Sequence, residues 1–118
     1  MNTALWVLQG LLALAFFAAG VLKLVTPKDK LAEKMAWVKS SSAQKVKLIG
    51  LAELSGAIGL VAPRALGILP VLTPIAALCL VVIMVGAAAT HLQLKESPLP
   101  PLVIGLMLVC VAVGRFVV

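Results

Sequence analysis

The chain has 118 residues, of which 63% are hydrophobic and 12% charged, with a formal net charge of +6. A soluble domain carries roughly 25% charged residues, so this chain cannot cover a surface with polar groups, and lipid is expected to be its main solvent. The excess of lysine lies between apolar runs, which favours an orientation signal over nucleic-acid binding.

The first apolar run predicts a membrane helix over residues 3–25. It carries no charge before Lys23, and it matches the roughly 20 residues that a bilayer core demands. It has no basic leader and no small-residue cleavage site, so it reads as a retained helix. Thr26 and Pro27 end it, because the residue before a proline avoids helical geometry.

Residues 28–45 form a basic connector. Leu31, Met35 and Val38 fall at i, i+4 and i+7, one stripe of a short helix expected on the membrane surface, with Trp37 off the stripe. Ser40, Ser41 and Ser42 are expected to turn the chain.

A second span is predicted over 46–62, closed by Pro63 and Arg64. The third apolar stretch runs from 65 to 90. Pro70 and Pro74 are expected to make its entry irregular and leave a regular helix over 74–92. Residues 95–98 make a polar turn. The fourth span is predicted over 100–117, with Arg115 in its last turn. The fold class is therefore all-α, a single domain built as a four-transmembrane-helix bundle with a short interfacial helix between the first two spans. The positive-inside rule puts the 26–45 and 93–99 loops in the cytoplasm and both termini outside.

Three ionisable residues intrude on the spans: Lys23, Glu53 and His91. A carboxyl group in lipid is costly unless neutral, paired or hydrated, which makes Glu53 a functional candidate by default. Small residues stand one turn before or after each: Gly20 before Lys23, Gly50 before and Gly56 and Ala57 after Glu53, and Ala87 and Ala88 before His91. Small residues mark faces where membrane helices approach closely, so these six are candidate packing positions and the three polar groups are expected to face inward. Glu53 lies about 10 Å deeper than Val46 at 1.5 Å per residue, and an extended lysine can cross part of such a gap. The expectation is a ligand-binding polar pocket shared by Glu53, His91 and Lys23. The alternatives are a snorkelling lysine, an interfacial histidine anchor and a packing carboxyl.

Cys79 and Cys110 lie in apolar runs, where a free thiol packs as a small hydrophobe and forms little thiolate. No Cys/His spacing suggests a metal site, no phosphate loop is present, and no catalytic set is readable.

The segments FFAAGVLKL at 16–24, GLAELSGAIGL at 50–60 and GAAATH at 86–91, with Pro27 and Pro63, resemble the DoxX-like family of small bacterial membrane proteins. The resemblance implies a four-helix bundle in the inner membrane and carries Lys23, Glu53 and His91 as family-pattern positions. It implies no settled activity: relatives are linked to quinone-coupled sulfur oxidation, to oxidative-stress complexes and, in animals, to receptor assembly. The expected function is a non-enzymatic assembly or interaction factor. Its expected partners are membrane lipid, a membrane protein or a second copy, with no nucleic acid and no resident cofactor. The alternative is a subunit of a quinone-linked oxidoreductase, with quinone as ligand and electrons supplied by a partner. Transport is weaker, since four short helices enclose little volume.

Overall fold

The computed structural model describes residues 2–39 and 42–117. Six helices follow in order: α1 (Asn2–Val25), α2 (Lys28–Lys34), α3 (Ala36–Lys39), α4 (Ala43–Leu66), α5 (Leu72–Gln93) and α6 (Leu99–Val117). Four of them, α1, α4, α5 and α6, are long and apolar enough to cross a membrane. The molecule is 41 Å in its longest dimension, close to the ~40–45 Å of a bilayer with its headgroups.

In the bundle α4 packs against α1 and α5, α5 packs against α6, and α6 closes onto α1 along a shorter contact. The central layer holds Leu12, Phe16, Ala57, Leu60, Leu80, Leu108 and Val111. Large apolar side chains such as Leu14, Val82, Leu106 and Val113 point outward. That inversion of the soluble pattern is what a lipid solvent allows, since contact between an apolar side chain and acyl chains costs nothing.

The connector differs from the single surface helix expected. Met35 is extended (φ −125°, ψ 106°) and separates α2 from α3. Leu31 and Val38 are fully buried and join Val46 in a small second core, with Met35 and Trp37 packed against it. The break lets both short pieces turn their apolar residues under the end of α4. Of the three serines expected to turn the chain, Ser40 and Ser41 lie outside the described residues. Ser42 caps α4, its Oγ accepting from the Lys45 N–H at 3.1 Å.

The second span is longer than 46–62. Pro63 sits inside α4, and the helix ends at Leu66, where the left-handed φ of 68° at Gly67 turns the Ile68 N–H back to the Pro63 carbonyl at 3.1 Å. A proline this close to a helix end removes one intrahelical bond, a loss the last turn tolerates, whereas Gly67 meets the steric demand of the C-terminal turn. Arg64 is therefore helical. The third helix begins at Leu72 rather than 74, with Pro74 in its first turn, where no intrahelical N–H is needed. Pro100 and Pro101 occupy the same kind of position in α6, which starts at Leu99.

The cysteines depart from the packing expected of them. Cys79 and Cys110 are free, and both lie exposed on the outside of the bundle.

Candidate functional site

α1 and α4 approach each other backbone to backbone. A Cβ placed on Gly20 would fall 2.7 Å from the Gly50 carbonyl oxygen and 2.8 Å from the Leu54 nitrogen. A Cβ on Gly50 would fall 2.8 Å from the Lys23 Cβ. Backbone thus meets backbone at Gly20 and Gly50, and no larger residue fits at either without moving a helix.

This crossing sets the geometry of the ionisable residues. Lys23 stands level with Gly50, and Glu53 lies one turn further along α4, about 4.5 Å at 1.5 Å per residue. The helices run in opposite directions, and each Cα–Cβ bond tilts toward its own N-terminus. Lys23 therefore leans toward the level of Glu53, and Glu53 leans back toward Lys23. Lys23 Nζ donates to Glu53 Oε1 at 2.5 Å. The two residues are only 8% and 3% exposed, so neither charge is dissolved in lipid or in water. In a low dielectric each group keeps the other from being an uncompensated ion.

Gly56 lies against Leu80 across the α4–α5 contact. Ala57 and Ala88 are buried, and Ala87 is partly buried against the central layer.

His91 is engaged elsewhere. It is half-buried near the end of α5, and its Nδ1 is 3.0 Å from the Ser97 carbonyl oxygen. A carbonyl only accepts, so Nδ1 carries the proton. The His91 carbonyl in turn accepts from the Glu96 N–H at 2.7 Å. Together these bonds clip the turn between α5 and α6. The structure thus brings Lys23 and Glu53 together and gives the His91 ring a backbone partner in the turn.

Sequence reasoning missed a second polar cluster, at the opposite end of the bundle. Gln9 is fully buried in α1. Its Nε2 donates to the Leu60 carbonyl at 2.6 Å, and its Oε1 accepts from Arg115 Nε at 2.5 Å. One amide thereby joins α1, α4 and α6. Arg115 Nη1 donates to Asn2 Oδ1 at 2.7 Å, and the guanidinium lies 5.2 Å from the Trp6 ring centroid, a cation–π contact. Among the described residues, Arg115 Nη2 and Thr73 Oγ1 are buried without a hydrogen-bond partner. The available signal was Gln9, an amide in mid-span that must find a partner in lipid.

Four apolar helices, an outward apolar surface and polar groups satisfied between helices define a small polytopic membrane protein. The chain belongs to the DoxX-like family, whose model matches residues 7–113. No curated protein and no solved structure matches the chain.

Proposed function

We propose that this protein is a non-enzymatic assembly or interaction factor of the inner membrane, holding a partner helix or a lipid-like ligand at the Lys23–Glu53 pair. The observation that carries this reading is the buried contact between Lys23 Nζ and Glu53 Oε1. Each side chain already has its partner, an arrangement suited to holding and orienting a bound group. An ammonium has three donors and a carboxylate two acceptor oxygens, so one contact leaves hydrogen-bonding capacity on both groups. Polar capacity inside a bilayer recognises a group that lipid cannot satisfy. The lysine-rich connector faces the cytoplasm in this reading, with both termini outside.

The test is Glu53→Gln, purified from native membranes in mild detergent and compared with wild type for thermal stability and co-purifying proteins. A variant that stays folded but loses a specific partner supports the reading. Retention of every partner and ligand by the folded variant overturns it. A quinone-dependent rise in thermal stability that Glu53→Gln abolishes would instead assign the site to a quinone-linked complex.

A further inference from the structure

The lysine-rich end of the bundle contains a pocket of ≈ 270 Å³ where the end of α1, the start of α2 and the first turn of α4 meet. Its floor is apolar, formed by Leu24, Leu31 and Val46, and its polar wall consists of Thr26, Lys28 and Lys47. No acidic residue lines it. Ala43, the first residue of α4, also borders it. The Ser42 hydroxyl already caps the Lys45 N–H, so the α4 N-terminus contributes the positive potential of its helix dipole there. Two lysines and the positive end of a helix dipole border one cavity, a setting that favours an oxyanion. The wider segment reinforces the field, since residues 28–47 hold six lysines against Asp29 and Glu33.

The apolar floor selects among anions. A small inorganic ion gains nothing from Leu24, Leu31 and Val46, whereas a lipid can lay its glycerol and upper acyl carbons on them. The pocket falls just below the roughly 300–1,000 Å³ typical of drug-sized ligand sites, room for a headgroup but not for two acyl chains. Those chains can follow the outer surface of α1, where Leu22 and Val25 are exposed. The pocket also lies at the ends of two spans, beside the connector helices. Basic pockets between helix ends on the cytoplasmic side are a recurrent means of holding anionic headgroups.

We infer that this pocket is a binding site for an anionic phospholipid of the cytoplasmic leaflet, with Lys28 and Lys47 holding the phosphate. The site is separate from the Lys23–Glu53 pair, and the inference stands whether or not that pair binds a ligand.

Native mass spectrometry of the purified full-length protein with phosphatidylglycerol or phosphatidylcholine tests it. Phosphatidylglycerol should bind in preference to phosphatidylcholine, and the double variant Lys28→Gln/Lys47→Gln should lower its affinity roughly tenfold. The control is Lys30→Gln/Lys39→Gln, which removes the same charge from exposed positions outside the pocket and should change affinity about twofold or less. Equal losses in the two double variants would reduce the effect to general surface charge and overturn the site. Equal binding of the two lipids by wild type would also overturn it, as would displacement of the lipid by millimolar inorganic phosphate, which would assign the pocket to a soluble anion. All three forms should show the same thermal stability in lipid-free detergent, which separates lost binding from lost folding.

Discussion

Gly50 lies directly against the Cβ of Lys23, and this contact sets the height from which the lysine reaches Glu53. Gly50→Ala would place a methyl group 2.8 Å from that Cβ and 3.0 Å from the Gly20 carbonyl oxygen. The helices must then separate, at a cost typical of overpacking, about 1–3 kcal/mol. Gly86 and Gly10 have no heavy atom within 4 Å of the same construction. Gly86→Ala and Gly10→Ala should therefore stabilise by roughly 0.5–1 kcal/mol, because alanine restricts the unfolded chain and favours helix. Unfolding in mixed micelles across the three variants checks the opposite signs. A neutral Gly50→Ala would show that α1 and α4 do not need their close contact.

The Lys23–Glu53 pair should behave as a unit. Lys23→Met leaves a buried carboxylate and Glu53→Gln a buried ammonium, each expected to cost about 3–5 kcal/mol in the manner of a broken buried pair. Lys23→Met/Glu53→Gln should cost less than the sum, with a coupling of about 1–3 kcal/mol. Strict additivity in the double-mutant cycle would mean that the contact contributes no pairwise energy.

Gln9→Leu should be more damaging than its modest change in volume suggests. It strands Arg115 Nε and removes the bond to the Leu60 carbonyl. Leaving such groups unmade costs about 1–3 kcal/mol each, more when charged. Gln9→Glu should recover the Arg115 contact as an ion pair while losing the donor to Leu60. Melting temperatures in the order wild type, Gln9→Glu, Gln9→Leu are expected.

His91→Ala should loosen the α5–α6 turn without unfolding the bundle. Hydrogen exchange should rise at residues 94–98 and stay unchanged in α1 and α4. His91→Asn offers an amide N–H near the position of Nδ1 and should restore protection. Faster exchange around Glu53 in His91→Ala would instead tie the histidine to the buried pair.

Cys79→Ala and Cys110→Ala should each alter stability by no more than about 0.5 kcal/mol, since exposed positions away from specific contacts tolerate substitution. The resulting cysteine-free chain would serve as a background for site-directed labelling. A loss above 1 kcal/mol would mean that one of these side chains packs inward.

The legible parts of this fold share one cause. A backbone in lipid must satisfy its own hydrogen bonds, so long apolar runs become helices and the spans are read almost directly. The pairing of Lys23 with Glu53 was readable for a similar reason, since buried charges need partners and both residues follow a glycine by one turn. The rest depended on which helix faces which. The small residues before His91 marked a face of α5 but did not indicate that the ring would turn to the Ser97 carbonyl. Arg115 was legible only as a charge in the last turn of the fourth span; its partner Gln9 lies 106 positions away. Pro63 was misleading because α4 carries it and ends three residues later at Leu66, where Gly67 supplies the left-handed stop.

The amide of Gln9 ties the first membrane helix to the last. During synthesis α1 enters the bilayer while Arg115 is still unmade, so Gln9 Oε1 must wait through the insertion of α4 and α5 for its donor. A chain truncated before α6 would leave the Gln9 amide oxygen without its Arg115 donor. The Gln9–Arg115 bond therefore forms only after α6 has joined the bundle.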